Sequence, residues 1–570
     1  MTGLAPVRDY LTCDDKQASH LAQELGISPV IGRILILRGI TTPEEGDRFL
    51  HPSLDQLHDP YRMTDLAAGV DRILAAIERG ERIAVHGDYD VDGVTATVIL
   101  RRVIELLGGD VVHYIPERVR DGYGLQVEAI DRLSVQNVRL IVSVDCGIRS
   151  GEAAERARDV GIDLVITDHH EPEATLPPAL AVINPRRHDC DYPDKDLAGV
   201  GVALKVVQAL CGKTDRLGWL PAFMKLAAIG TLADVVPLRG ENRVIACLGL
   251  EKLSRGPHTV GLRALLESAG LDGKKINSYE VGFVLAPRIN AAGRMSTPDL
   301  ATRLLLSIDE KTSGEARRLA KQLDEENLRR RKEESLILLA ARQRIEADPE
   351  IKLHNILVLW GDSWHRGVIG IVAAKLADEF NRPALVLSVE DGKAHGSGRS
   401  IPGFDLLASL ERCGDLFERF GGHRQAAGLV INEDRLGELR RRLTKDADAH
   451  LSPDDLRPRL AIDAPLRLGD IDGRLIEGLA SLEPFGAGNK RPIFHDDDVG
   501  IVDGPHSIKG NHLRMTVRGG RNSFRAVAWR AAERQGFVPD RRTSLDIAFS
   551  LTENTYRGDT HIELSVADIK

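Results

Sequence analysis

The stretch HGDYDVDG, His86 to Gly93, places one histidine (His86) and three carboxylates (Asp88, Asp90, Asp92) within eight residues, directly behind the run RIAV. Carboxylates this close repel one another, so positive charge must sit among them. Two further apolar runs end the same way. VSVDCG delivers Asp145, and VITDHH delivers Asp168, His169 and His170. A fourth acid, Asp234 in TLADVVPL, follows a predicted helix. Carboxylates mixed with imidazole suit Mn²⁺, and suit Mg²⁺ less well because of the histidines. Two cations sharing carboxylates would offset the repulsion. A pair about 3.5–4 Å apart is a common device for hydrolysing phosphate esters. An isolated Asp-rich turn is usually a turn or a helix cap. Three acidic strand ends in one α/β unit, two of them carrying histidine, ask for more than that.

The elements that must position these groups are readable as alternating strands and helices from about residue 65 to 240. RIAVHG, VVHYIP, RLIVSVDC, DLVITDHH and LAVINP read as strands, and residues 94–107, 127–136 and 151–160 as helices. This order implies a mostly parallel sheet with helices on its faces. Ligands bind beyond the carboxyl ends of such strands, so the first three acidic sets should converge on one edge. The stretch EARRLAKQLDEENLRRRKEESLILLAARQRIEA holds no Gly or Pro and predicts one long connecting helix. Its Arg329, Arg330, Arg331 and Lys332 read as a solvated face rather than a DNA contact. A second α/β unit follows, with NILVLWGD and PALVLSVED as strands around a helix over 368–380, then glycine-rich turns in KAHGSGRSIPG and FERFGGHRQAAG. From about residue 455, HLRMTVRGG, SFRAVAWR, LDIAFSLTENTYRG and THIELSVADIK predict a small antiparallel β-barrel. The expected fold class is α/β: a parallel-sheet catalytic domain joined by a long helix to a smaller α/β domain, then a C-terminal β-barrel.

The chain has 570 residues, room for three or four domains at roughly 150 residues each. Hydrophobic residues make up 42% and aromatics only 4%, so Leu, Ile, Val and Ala must fill the core. Six cysteines are scattered without a CxxC pair, which argues against a disulfide framework and a zinc ribbon. A net charge of −9 disfavours a general polyanion binder; a nucleic-acid partner would need local basic surface or metal ions. No apolar run approaches the roughly 20 residues of a membrane helix, and MTGLAPVRDYLTCDD lacks the pattern of a signal peptide. A cytoplasmic protein with no membrane partner is expected.

HGDYDVDG, VDCG, TDHH and ADVVPL, in that order, resemble the DHH phosphoesterase superfamily, and within it the single-strand-specific 5′→3′ DNA exonucleases. GVGVALK, PRINAAGRM, SWHRGVIGIVAAKLA, GSGRS, GGHRQAAG and LEPFGAGN agree, so the resemblance runs from about residue 60 onward. It implies an N-terminal cap region over 1–60, a DHH catalytic domain over 61–312, a connecting helix over 313–350, a DHH-associated domain over 351–452 and an OB-fold over 453–570. It also implies two divalent cations, Mn²⁺ before Mg²⁺, held by His86, Asp90, Asp92, Asp145, His169 and Asp234. The first would take Asp90 and Asp145 with His86 close by; the second would take Asp92, Asp145, His169 and Asp234, with Asp145 bridging. Asp88 would orient a ligand. His170 would face the scissile phosphate or hold the site together. Arg288, Asn290 and Arg294 would stabilise charge on it.

By the same resemblance, a 5′-phosphate pocket would use Ser397, Arg399 and Ser400 on a flexible glycine backbone. Gly421, Gly422 and His423 would join them at a predicted helix start, where N–H groups favour anions, together with His365. In the barrel, His512, Arg514, Arg518, Phe524, Arg525 and Trp529 are candidates for gripping a single strand, while Phe524 and Trp529 read equally well as core. The activity implied is a single-stranded-DNA-specific 5′→3′ exonuclease releasing 5′-mononucleotides in recombination and repair. The partners implied are single-stranded DNA with a 5′ end, a single-strand-binding protein and a helicase. Two alternatives stand beside it: a phosphodiesterase for short oligonucleotides or cyclic dinucleotides, and a catalytically silent replication scaffold.

Overall fold

Five parallel strands carry the acidic motifs: β1 (Arg82–His86), β2 (Val111–Tyr114), β3 (Val138–Val144), β4 (Asp163–Thr167) and β5 (Ala181–Ile183), in the spatial order 2-1-3-4-5. Ile83, Ala84 and Val85, Leu140 to Val142, and Val165 and Ile166 are buried. A sheet covered on both faces explains why these strands read as unbroken apolar runs instead of alternating ones. The strand order reverses at β1. In open α/β sheets the ligand crevice lies at this switch point, beyond the carboxyl ends of the two central strands, here β1 and β3.

This computed structural model describes residues 6–117, 122, 124–508, 512–529, 544–556 and 559–570. Residues 1–5 of the expected N-terminal region and the expected turn at Arg557–Gly558 lie outside the described residues. The chain forms two units. One comprises Asp47–Arg330 with Leu482–Lys490, and the other Met1–Gly46, Arg331–Ser481 and Arg491–Lys570.

In the first unit, helix α1 (Leu66–Glu78) precedes the sheet, and α2 (Val91–Leu106) follows β1 directly. The sequence predicts this helix from residue 94. It starts three residues earlier because the Asp90 side chain caps it, accepting from the Gly93 N–H at 3.1 Å. Asp92 is thereby placed in the first helical turn. Helices α3 (Val127–Ser134) and α4 (Gly151–Asp159) alternate with the strands as expected. Then α5 (Gly199–Lys213), α6 (Leu220–Ala233) and α7 (Gly240–Arg255) complete the core, with α2 packed against α5 and α6.

In the second unit a five-stranded sheet runs in the order 417–423, 426–432, 393–399, 384–390, 357–362. Two expectations fail here. Lys393–Arg399, containing GSGR, is the central strand and not a flexible turn. Its glycines let neighbours close in: a Cβ at Gly396 would lie 2.9 Å from Leu429 Cγ, and one at Gly398 2.6 Å from Leu406 Cδ2. Gly421, Gly422 and His423 end the strand Phe417–His423, not a helix; they pair antiparallel with Ala426–Gly428. Five strands then close into a barrel (494–508, 512–519, 522–528, 559–569, 545–556). It is antiparallel except where Asn522–Ala528 runs parallel to Asp559–Ile569.

Residues 6–46 group with this second unit. Val7–Tyr10 pairs in parallel with Arg459–Ile462, and the buried Arg8 forms ion pairs with Asp546 and Asp568. Ser313–Ala347 is one 35-residue helix. Among the described residues no helix is long and apolar enough to cross a membrane.

Candidate metal centre

Beyond β1, β3 and β4 the predicted ligands meet. Three overlapping groups each offer ligand atoms within 4.8 Å of one another: Asp88, Asp90 and Asp145; Asp92, His169 and Asp234; and Asp145, His169 and His170. Asp145 is shared between groups, and so is His169. His169 Nε2 stands 3.1 Å from Asp145 Oδ1, 3.7 Å from Asp234 Oδ2 and 4.0 Å from Asp92 Oδ2. Asp145 takes φ +60°, in the left-handed region that Asp tolerates better than most residues. His86, Asp92, Asp145 and His169 are buried.

The electrostatics describe a pocket short of positive charge. Burial first, and the charge of Asp90 second, push the Asp92 carboxyl up to about 7. Burial and then Asp92 push Asp234 up to about 9. Asp145 is held well above the usual carboxylate range by burial, then by Asp92, Asp90 and Asp234. Burial lowers His86 to about 4, and burial together with the charge on His170 lowers His169 to about 4. Both imidazoles are therefore neutral at pH 7, the form that ligates metal. Among the described residues, the buried Nε2 atoms of His86 and His169 have no hydrogen-bond partner. Crowded carboxylates with bare imidazole nitrogens are the donor set of a divalent cation site, so the residues present fit the group. Cys146, 3.6 Å from His86 Nδ1, is held as a thiol by burial and then by the surrounding acids.

The candidate ligands are held by groups to which the sequence assigns no role. Asp92 is clamped at the start of α5: Gly199 N–H donates to Oδ2 at 2.7 Å and Val200 N–H to Oδ1 at 2.8 Å. Gly199 permits this approach, since a Cβ there would stand 2.5 Å from Asp145 Oδ1. Asn242 on α7 fastens the start of α5, accepting from Ala198 N–H at 3.4 Å and donating to the Asp196 carbonyl at 2.6 Å. The buried Asp168 accepts from Ile148 N–H, His169 N–H and His170 Nδ1, the last at 2.7 Å. Burial opposes its charge, but the His170 hydrogen bond and the charges of both histidines outweigh that and hold its carboxyl below the usual range. Burial likewise opposes a charge on His170, and Asp168 overrides it, raising the imidazole above its ordinary value. Deeper still, Lys205 and Glu241 form a fully buried pair at 2.8 Å, with the Tyr192 hydroxyl donating to the same carboxylate. GVGVALK carried the signal for Gly199. Nothing in the sequence marks Asn242 or Glu241.

The family model "DHH family, N-terminal domain" matches residues 82–231, "DHHA1 domain" matches 353–447, and "RecJ OB domain" matches 462–568. The chain is 39% identical over 546 residues to the single-stranded-DNA-specific exonuclease RecJ of Bacillus subtilis, covering 95% of this chain and 68% of that protein. It is 33% identical to the protein of the same name from Escherichia coli, covering 95% and 96%. The chain belongs to the RecJ family. Its fold matches the crystal structure of RecJ in complex with Mn²⁺ from Thermus thermophilus, with a TM-score of 0.83, 30% identity and coverage of 99% of this chain and 79% of that one. A Mg²⁺ complex of RecJ from the same organism matches with a TM-score of 0.78.

The remaining predicted residues of this RecJ-family chain divide between its two units. In the catalytic unit, Arg288, Asn290 and Arg294 lie on one helix, Ala286–Met295. Arg288 is tethered, with its guanidinium 2.9 Å from Asp324 and donating to the Val284 carbonyl at 2.7 Å. In the other unit, Ser397 and Arg399 lie beside the start of helix Ile369–Phe380. A Cβ at Gly370 would stand 2.8 Å from Ser397 Oγ and 3.6 Å from Arg399 Nη2. His365 accepts from Gly367 N–H at 3.1 Å, just ahead of that helix. Ala426 is registered with both His423 and Arg399 on the flanking strands. Ser400 is occupied locally, donating to the Phe404 carbonyl at 2.8 Å. In the barrel, Arg514, Arg518 and Arg525 are exposed and Phe524 is half-buried. Trp529 is 55% exposed and packs edge-on to His512 at 4.8 Å, which removes the core reading for Trp529.

Proposed function

We propose that the chain digests single-stranded DNA from its 5′ end, releasing 5′-mononucleotides by hydrolysis at a two-cation centre. The observation that carries this is Asp145. It is shared between two groups of ligand atoms at the β1/β3 switch point, in a chain matching single-stranded-DNA-specific exonucleases over 95% of its length. Asp90 and Asp145 would hold one cation, with Asp88 and His86 beside them; Asp92, Asp145, His169 and Asp234 would hold the other. Such a pair supplies a water acidified for attack at neutral pH and stabilises the charge that develops at phosphorus.

The protein's own groups do the rest. The α5 start fixes both oxygens of Asp92, so its remaining lone pairs stay aimed without reorganisation. Asp168 orients His170 and favours its protonated form, which can donate a hydrogen bond to a phosphate oxygen. Arg288, steadied by Asp324, places a guanidinium for the same phosphate, with Asn290 and Arg294 on the same helix. Ser397, Arg399, Gly422, His423 and His365 bind the 5′-terminal phosphate, and Ser400 shapes the turn beside them. The barrel holds the trailing strand through Trp529 and the exposed arginines. Recombination and repair in the cytoplasm, alongside a helicase and a single-strand-binding protein, are the setting we propose.

A single-stranded oligonucleotide with a 5′-phosphate and a 3′-label tests the reading. Shortening from the 5′ end with Mn²⁺, absent with EDTA and absent on blunt duplex, is the expected result. Cleavage of a dinucleotide but not of the long strand would replace it with a short-oligonucleotide phosphodiesterase.

A further inference from the structure

Leu482–Lys490, which carries LEPFGAGN, belongs to the catalytic unit although the chain on either side of it does not. The segment closes on itself. Gly486 and Asn489 exchange backbone hydrogen bonds at 2.9 and 3.2 Å. The buried Asn489 side chain donates to the carbonyls of Leu482 at 2.8 Å and Pro484 at 3.0 Å.

This loop grips the chain just past Asp234. Leu238 N–H donates to the Ala487 carbonyl at 2.8 Å, and Arg239 Nε to that of Gly488 at 3.4 Å. The fit is close at both glycines of the loop, and at Gly488 the left-handed backbone favours glycine. A Cβ at Gly486 would stand 2.8 Å from Leu238 Cδ1. One at Gly488, where φ is +68°, would stand 3.1 Å from Pro237 Cβ. Two further ties anchor the loop: the buried Arg243 guanidinium donates to the carbonyls of Leu482 and Glu483 at 3.1 and 3.0 Å, and the Ser278 hydroxyl donates to that of Phe485 at 2.7 Å.

Asp234 needs such support because of the residue after it. Val235 takes φ +62°, a conformation β-branched side chains rarely adopt. Val235 is 69% exposed, so packing of its own side chain does not enforce the turn. Strained backbone of this kind persists only where its surroundings over-determine it. The bonds that do so lie two and three residues on, at Pro237 and Leu238, with Asn242 Nδ2 adding a bond to the Pro237 carbonyl at 3.2 Å.

We infer that the 482–490 loop is a positioning element for Asp234. By fixing Pro237 and Leu238 it holds the Val235 turn in the conformation that presents the Asp234 carboxylate, 3.7 Å from His169 Nε2, to the cation shared with Asp92. The inference rests on Asp234 being a ligand, as proposed above.

Calorimetric titration of Mn²⁺ into the full-length chain, without DNA, tests it. Gly486→Val drives methyl groups toward Leu238, and Asn489→Ala removes the loop's internal ties. Both should weaken one of two Mn²⁺ sites about tenfold or more, the scale of losses from outer-sphere positioning groups. Asp234→Ala should weaken the same site, and the Asp234→Ala, Gly486→Val double variant should be no weaker than Asp234→Ala alone. Turnover of Gly486→Val should recover at raised Mn²⁺ concentration. Circular dichroism checks folding, and Ser278→Ala, which removes one hydrogen bond, serves if the other two do not fold. Wild-type Mn²⁺ affinity in the folded loop variants, or additive losses in the double variant, would overturn the inference. Unchanged Mn²⁺ binding by Asp234→Ala would instead bring down the ligand assignment, and the positioning role with it.

Discussion

Gly199→Ala adds a single methyl group, and the structure says what it meets. The new Cβ would lie 2.5 Å from Asp145 Oδ1 and 2.7 Å from both Cβ and Cγ of Asp145. Non-bonded carbon atoms settle at about 3.5–4.0 Å, so either Asp145 or the start of α5 must retreat by roughly 1 Å. If Asp145 moves, the carboxylate shared between two candidate ligand groups is displaced. If α5 moves, the Gly199 and Val200 N–H groups leave Asp92, which they now bond at 2.7 and 2.8 Å. A misplacement of about 1 Å at reacting groups costs about 10²-fold in rate, about 2.7 kcal/mol at 1.36 kcal/mol per tenfold. Helix propensity runs the other way, since alanine is the better helix former. Gly201→Ala, on the same helix, is the control: its nearest neighbour is Leu197 Cδ2 at 3.1 Å, the tip of a flexible side chain. Initial rates on a 5′-phosphorylated single strand across Mn²⁺ concentrations, with circular dichroism on both variants, make the comparison. Gly199→Ala should lose about two orders of magnitude in kcat while folded, and Gly201→Ala should stay within a few-fold of wild type. Equal rates for Gly199→Ala and wild type would refute the reasoning.

Other consequences follow from the same geometry. Asp168→Asn removes the negative charge that holds His170 above its ordinary value, so an NMR titration of the metal-free chain should find the His170 midpoint moved to lower pH. Asp92 and Asp234 titrate up to about 7 and about 9 in the fold, against 3.8 for a free carboxyl. Folding therefore binds protons at these two carboxyls, while His86 and His169, lowered from 6.5 to about 4, release them and oppose the effect below 6.5; above that the metal-free chain should lose stability as pH rises through 7 and toward 9. Scanning calorimetry in EDTA should show a lower melting temperature at pH 8.5 than at pH 5.5, and Mn²⁺ should remove or invert that difference. Trp529→Ala should weaken binding of a single-stranded oligonucleotide about 5- to 150-fold, from about 1–3 kcal/mol per stacked base, with the melting curve unchanged.

The sequence made the catalytic sheet legible because its strands are buried on both faces and end in polar turns. The acidic motifs then had to meet at one sheet edge, as parallel β-α-β order implies; the strand order that makes this edge a switch point comes from the fold. The Asp90 cap was legible in retrospect, as an Asp three residues ahead of a glycine at a helix start. What stayed hidden was set by tertiary contact. GSGR and GGH look like turns when glycine is read as conformational freedom, yet Gly396 and Gly398 sit mid-strand because side chains of adjacent elements need the space. The N-terminal segment carries no signal for its partner, since Arg8 finds Asp546 and Asp568 more than 500 positions away. Asn242 and Lys205–Glu241 are buried polar residues whose partners only the fold supplies.

The central claim is that Asp145 bridges two cations, and counting bound Mn²⁺ by titration tests it most directly. The wild-type chain should bind two ions. Asp92→Ala should weaken one of them, and Asp145→Ala should weaken both, with each variant shown to be folded. Two ions bound to Asp145→Ala at wild-type affinity would contradict the account.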